Sequence, residues 1–185
     1  MDNRKLVINT GAIKVMSQLL LESIEKKAFQ LIKNGSWALS NIIRGKPTPL
    51  FSKLKPAVPA ICQTIIHYDD PEVLSETLWA LTYMSDGAGK DVGCIFETGI
   101  LKRLLNLLLH SSLSIAVGAL RTLGNLVTGD DQFTIEVINA GALNQLNLLL
   151  GNPKPAMRRE AAWAVSNFTA SSSTVLNFIL NTDII

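Results

Sequence analysis

The chain has 185 residues, 48% of them hydrophobic and 17% charged, far more apolar side chain than a disordered chain carries, so it is expected to fold. A net charge of +2 lacks the strong basic excess of nucleic-acid-binding domains, and no direct nucleic-acid partner is expected. The two cysteines, Cys62 and Cys94, have no metal or redox spacing and too small a number for a disulfide framework; both are read as reduced core thiols.

Met1-Asp2-Asn3-Arg4-Lys5 is followed by no long apolar stretch, so no secretory signal is read, and the chain is expected to be soluble and intracellular. A short helix is predicted over 4–8, and Thr10-Gly11-Ala12-Ile13 starts a second, with glycine at the bend where positive φ or close packing is needed. A long helix is centred near Trp37. The next start is Lys55-Pro56-Ala57-Val58, and the interval from Gly11 to Ala57 is four longer than the interval from Gly99 to Gly141. That difference implies a four-residue insertion, either before Trp37 or in the loop around 46–49.

The second long helix is centred near Trp79, with Pro71 suited to its first turn and Asp70 placed to cap it. A short helix is read over 91–96, and Thr98-Gly99-Ile100-Leu101 opens the next. Residues 101–109 are leucine-rich but broken by Lys102, Arg103 and Asn106, well short of the roughly 20 apolar residues a spanning helix requires, so no membrane insertion is expected. The third long helix is centred near Arg121. A short helix over 132–138, the start Ala140-Gly141-Ala142-Leu143 and a fourth long helix near Trp163 follow, the last with Pro155 in its first turn and Asn152 near its start as a cap. A final short helix over 174–180 precedes Asn181-Thr182-Asp183-Ile184-Ile185, which echoes Asn9-Thr10-Gly11-Ala12-Ile13. The chain is therefore read as one array over 1–185 that begins and ends inside a repeat.

Trp37, Trp79, Arg121 and Trp163 recur at one constant interval, in the frames SWALSN, LWALTYMSD, LRTLGN and AWAVSN. Four copies at a period of this length indicate stacked helical repeats in an all-α solenoid. With the marker at zero on a helical wheel, positions three before, four after and seven after fall at about 60°, 40° and −20°. That stripe reads Asn34, Trp37, Asn41, Arg44; Glu76, Trp79, Tyr83, Asp86; Gly118, Arg121, Asn125, Thr128; and Glu160, Trp163, Asn167, Ala170. Positions two and five after fall at about 200° and 140°. They read Leu39 and Ile42, Leu81 and Met84, Leu123 and Leu126, Val165 and Phe168, and are expected to be core.

An isolated tryptophan reads first as a core residue. Here each shares its face with polar groups, and burying Asn41, Asn125 and Asn167 would leave amides needing several hydrogen bonds each, so the stripe is read as a binding strip. A row of asparagines can hold the N–H and C=O groups of an extended peptide. Helices about 8–10 Å apart match about three residues of a chain rising about 3.3 Å per residue. Indoles beside Glu76, Asp86, Glu160 and Asp131 favour Lys or Arg side chains, by their faces and by their charge. Arg121 is awkward for a basic ligand unless a carboxylate neutralises it, and Glu160 on the next repeat is the candidate. His67 and His110, without a nucleophile or metal partner nearby, read as helix-end or turn residues. No Gly-rich phosphate loop follows a strand, so neither an enzyme, a cofactor nor a metal site is expected.

The blocks SWALSNIIRGKPTP, HYDDPEVLSETLWALTYMSDG, ALRTLGNLVTGDDQ, INAGAL and NPKPAMRREAAWAVSNFTA resemble the importin alpha (karyopherin alpha) family of armadillo-repeat nuclear import adaptors over essentially the whole chain. The resemblance implies a right-handed armadillo superhelix, with units similar to repeats four to seven between the end of the third and the start of the eighth. It implies that Asn34, Trp37, Asn41 and Arg44 belong to the major signal-binding site, bordered by Glu76, Trp79, Tyr83 and Asp86. Arg121, Asn125, Thr128, Asp131, Glu160, Trp163, Ser166 and Asn167 match the minor site. Tyr83 in place of Asn and Arg121 in place of Trp are typical of that family's middle repeats, whereas Glu76 replaces an Asp, keeping the charge and altering its reach. The implied partners are proteins with basic nuclear localisation signals, and importin beta through an N-terminal segment absent here. The implied location is cytoplasm and nucleus. The alternative is a non-transport armadillo scaffold for other extended peptides, which in the catenin-like branch would need a groove lined by Lys and Arg.

Overall fold

The computed structural model describes residues 3–86 and 88–180, apart from the Lys90 side chain. Among the described residues every regular element is helical. The chain divides into two compact units, 1–84 and 85–185. The first holds α1 (Asn3–Asn9), α2 (Ala12–Glu25), α3 (Phe29–Ile43), α4 (Phe51–Leu54) with a 3-10 turn over Lys55–Ala57, α5 (Val58–His67) and α6 (Pro71–Ser85), whose last residue crosses the boundary. The second holds a 3-10 turn over Gly89–Val92, α7 (Gly93–Phe96), α8 (Leu101–Leu107), α9 (Leu113–Leu126), α10 (Asp131–Asn139), α11 (Ala142–Leu150), α12 (Pro155–Thr169) and α13 (Ser173–Leu180). Each marker lies on a long helix preceded by two other helices, as expected. No described helix is long and apolar enough to cross a membrane.

The four long helices are 14 or 15 residues long, and in each the marker is the ninth residue. Their starts are set locally. Pro71 opens α6, and Asp70 Oδ1 accepts the backbone N–H of Glu72 at 3.1 Å and of Val73 at 3.0 Å, the predicted cap. Pro155 opens α12, but Asn152 is not its cap. Asn152 Oδ1 accepts Lys154 N–H at 3.0 Å, so it shapes the turn before the helix, and Lys154 holds the cap position without a side-chain bond.

Gly11, Gly99 and Gly141 have φ of 82°, 73° and 93°, the left-handed conformation their positions predicted. Ala57, at the same place in its repeat, has φ −85°, and a 3-10 turn makes the bend instead. Gly11 stands four places farther from Trp37 than Ala57, Gly99 and Gly141 stand from their own markers. The insertion therefore lies before Trp37 and not around 46–49. It lengthens α2 to 14 residues, against 10 in α5 and 9 in α11.

Leu39, Leu81, Met84, Leu123, Leu126 and Phe168 are buried as expected, but Ile42 and Val165 are only half-buried. The buried arc differs from helix to helix. α3 buries Ile32, Ser36, Leu39, Ser40 and Ile43, a leading arc from about 200° to 300° on the wheel. α12 buries Met157, Ala161, Ala164 and Phe168, a trailing arc from about 100° to 160°. α9 buries both arcs. Among the described residues a long helix follows α3 but none precedes it, and one precedes α12 but none follows. Within the first unit the buried arc of α3 is thus the one on the side of the long helix that follows, and within the second the buried arc of α12 is the one on the side of α9. Ile42, on the trailing arc of α3, and Val165, on the leading arc of α12, each lie on the side without a long-helix neighbour.

Cys62 is fully buried. Cys94 is not core: it is half-exposed, and its thiol donates to Asp91 O at 3.3 Å. His67 ends α5 within 3.0 Å of Gln63 Oε1, and His110 lies in the turn after α8 with Nδ1 accepting Ser112 N–H at 3.0 Å. Both histidines are helix-end or turn residues, as read. The echo at 181–185 lies outside the described residues.

Candidate functional site

In the first unit Trp37 stands 59% exposed on α3. Its polar neighbours are tied within their own segment: Gln30 Nε2 donates to Asn34 Oδ1 at 3.0 Å, and Arg44 Nη2 to Asn41 Oδ1 at 2.5 Å. With its carbonyl engaged by Arg44, what Asn41 can offer a peptide carbonyl is its amide N–H groups. On α6, Trp79 and Tyr83 are half-buried with ring centroids 6.5 Å apart and planes at 43°, one turn of helix bringing them together. Glu76 is half-buried and Asp86, just past the helix, is exposed. Lys33 and Glu72 form an exposed ion pair between α3 and α6. The Glu72 hydrogen bond, opposed by a loss of hydration and aided by the charges of Glu72 and Asp70, raises the Lys33 ammonium above its ordinary 10.5.

In the second unit the side chains reach across to the neighbouring repeat. Arg121 Nε donates to Glu160 Oε2 at 2.8 Å and Nη2 to Oε1 at 2.6 Å, a bidentate pair with side chains 43% and 19% exposed. Glu160 is the carboxylate partner that Arg121 required. Trp163, 39% exposed, lies with its indole against Gly124 of α9, and Asn167 Nδ2 donates to Gly124 O at 2.9 Å.

Asn125 departs from the expected pattern. It is 9% exposed, and its Nδ2 donates to Ser85 Oγ at 3.0 Å. A buried amide is tolerable because that hydroxyl accepts its proton. Asn125 is therefore a packed member of the row, unlike the half-buried Asn41 and Asn167. Thr128 and Ser166 direct their hydroxyl protons to Asn125 O and Trp163 O, each at 2.7 Å, so toward a ligand they are acceptors. Asp131 accepts Ser172 Oγ at 2.5 Å. Gly124, Ser85 and Ser172 were not singled out from sequence. Gly124 alone carried a signal, since the position three after the marker holds Ser40, Thr82 and Ser166 in the other repeats.

Among the described residues no group of His, Cys, Asp and Glu could hold a metal ion. The strip offers indole faces, amides, hydroxyl acceptors and carboxylates on helices fixed by their cores. That inventory suits reversible binding of an extended peptide.

Residues 91–128 and 130–170 match the family model for the armadillo/beta-catenin-like repeat. The chain is 42% identical to importin subunit alpha-1a of Oryza sativa subsp. japonica over 98% of its own length and 34% of that protein. It is 44% identical to alpha-1b of the same organism over 86% of the chain and 29% of the relative, and 42% identical to importin subunit alpha-3 of Arabidopsis thaliana over 86% and 30%. The chain thus spans about a third of the length of the curated relatives it matches. Among solved structures, a designed armadillo repeat protein in complex with the peptide (KR)4 is similar with TM-score 0.80 at 25% identity, over 93% of this chain and 70% of that one. A second designed armadillo repeat protein, at TM-score 0.83 and 23% identity over 96% and 73%, shares the fold. The fold is an all-α armadillo-repeat solenoid, and the curated relatives bear the name importin subunit alpha.

Proposed function

The chain belongs to the importin alpha family of armadillo-repeat proteins, and from that premise we propose that it binds Lys/Arg-rich nuclear localisation signals as extended peptides. Trp37, Asn41, Asn34 and Arg44 supply part of a major site bordered by Glu76, Trp79, Tyr83 and Asp86. Trp163, Asn167, Glu160, Ser166, Arg121, Thr128 and Asp131 supply most of a minor one, with Asn125 packed behind it. The observation that carries this reading is the bidentate Arg121–Glu160 pair, which neutralises the one cation standing at a marker position. Arg44 is likewise hydrogen-bonded to Asn41. The strip then presents indole faces and the carboxylates of Glu76 and Asp86 to a basic ligand. A solved relative in fold that holds the peptide (KR)4 supports the same ligand chemistry.

Transport between cytoplasm and nucleus, and partnership with importin beta through segments outside these residues, follow from the family as parts of the same proposal. A scaffold for other extended peptides is the competing reading. Titration of a labelled bipartite basic peptide tests the two. Trp163→Ala and Glu160→Arg are expected to weaken binding about tenfold or more, as loss of an aromatic anchor or reversal of a charge does. Equal affinities in wild type and both variants would remove the minor-site assignment. A salt-dependent preference for poly-Glu over poly-Lys peptides would favour the scaffold.

A further inference from the structure

A β-carbon built on Gly124 would stand 2.5 Å from Trp163 Cζ3, 3.0 Å from Cη2 and 3.2 Å from Cε3. No side chain fits between α9 and that indole. The same residue's carbonyl accepts the Asn167 amide at 2.9 Å. One residue of the preceding repeat therefore touches both members of the Trp/Asn pair, the first through its missing side chain and the second through its backbone. Gly124 has helical φ, so conformational freedom is not what the position requires. Space is.

The geometry points to Gly124 as the positioning residue of the Trp163 station: its bare backbone lets the indole recline onto α9 beside the Asn167 amide, and any side chain there would push the ring outward. The consequence for binding rests on the peptide-binding reading above. The atoms that clash are at the far end of the Trp163 side chain, not in backbone, so the ring moves and the fold stays. Glu160 is one turn before Trp163 and fixed by Arg121, so the carboxylate keeps its place while the ring leaves it. A slot formed by indole and carboxylate together would open, and a lysine or arginine stem would lose one wall. Where the first repeat has Ser40 and the fourth Ser166 at the same position, Gly124→Ser asks whether the common residue suffices.

Two measurements on the intact chain test this. In a Trp37→Phe, Trp79→Phe background, Trp163 is the sole tryptophan, and iodide quenching of its fluorescence reads its exposure. Gly124→Ala and Gly124→Ser are expected to raise the quenching constant about twofold while the far-ultraviolet helical signal is kept. Unchanged quenching in both folded variants overturns the inference. In the native-tryptophan chain, Gly124→Ala is expected to weaken a labelled Lys/Arg-rich peptide about tenfold, yet change affinity less than about twofold when Trp163 is already Ala. An equal loss in both backgrounds overturns it too, because Gly124 would then act without the ring. Raised quenching with no effect of Trp163→Ala on peptide affinity would leave Gly124 as the positioning residue and remove the peptide station instead. If Gly124→Ala unfolds the chain while Gly124→Ser does not, the serine variant carries both readings; unfolding of both overturns the inference, since the ring would not be what yields.

Discussion

α3 and α12 carry their markers at the same ninth position, yet they bury different arcs of their surfaces and hold their polar groups in different ways. On α3 the stripe is bonded along its own segment, Asn34 to Gln30 and Asn41 to Arg44. On α12 it is bonded backward, Glu160 to Arg121 and Asn167 to Gly124. The sequence pattern is the same and the neighbours are not: among the described residues α12 follows a long helix and α3 does not. The repeat is therefore directional. The marker side of α12 leans on α9, and the leading arc of α3 is the one it buries. Trp37 is 59% exposed, and Trp163, which lies against Gly124, is 39% exposed.

Directional packing has its largest effects in the core. Phe168→Ala, which empties a fully buried site facing the preceding repeat, is expected to cost about 3–5 kcal/mol in chemical unfolding, and Ile32→Ala on the leading arc of α3 about 2–5 kcal/mol. Val165→Ala and Ile42→Ala, on the sides without a long-helix neighbour, are expected to cost well under about 1.5 kcal/mol each. Large losses at the latter pair would refute the assignment of arcs.

The asparagines sharpen it at a smaller scale. Asn125→Ala removes a buried hydrogen bond to Ser85 and should cost about 1–2 kcal/mol, whereas Asn41→Ala should stay within about 0.5 kcal/mol. Equal melting curves for the two variants would mean that burial at the fourth position after the marker is inconsequential. A double-mutant cycle on Arg121 and Glu160 is expected to give a coupling of about 1 kcal/mol, the bidentate geometry being discounted for an arginine 43% exposed.

The weakest effect belongs to Lys33–Glu72, whose coupling should be smaller and vanish in high salt. Because the folded-state pKa of Lys33 is raised, its contribution is present below 10.5 and is lost as pH rises through the folded value. Lys33→Met should remove that alkaline component from a stability-versus-pH curve, and an unchanged curve would show the pair to be without effect.

The helical order, the ninth-position markers, the proline starts and the glycine bends were legible because each is written in spacing or in a residue with one dominant backbone role. Arg121–Glu160 was legible from charge: a cation beside indoles had to be neutralised. Asn125 was not, because a helical wheel treats its position alike in every repeat and cannot see Ser85 arriving from another helix. Ile42 and Val165 failed for the matching reason, since the wheel assigns a face and not the neighbour that covers it. Gly124 left a trace in its frame, LRTLGN, but a glycine among serines and a threonine reads as one more small residue until the indole above it is placed. Asn152 shows the limit of cap reading, because a side chain near a helix start has both the cap and the Asx-turn within reach.

The lengthened α2 has a consequence for how such chains tolerate change. Four added residues advance a helix by about 400°, one full rotation and about 40° more, and lengthen it by about 6 Å. The face that Ile13, Ser17 and Leu20 bury is therefore kept nearly in phase, and the distance from Trp37 to the next marker is untouched. An insertion of two residues at the same place would turn the rest of α2 by about 200° and put its apolar side in water. Length variation in these arrays should accordingly come in whole turns, upstream of the marker, where it changes reach without changing rhythm.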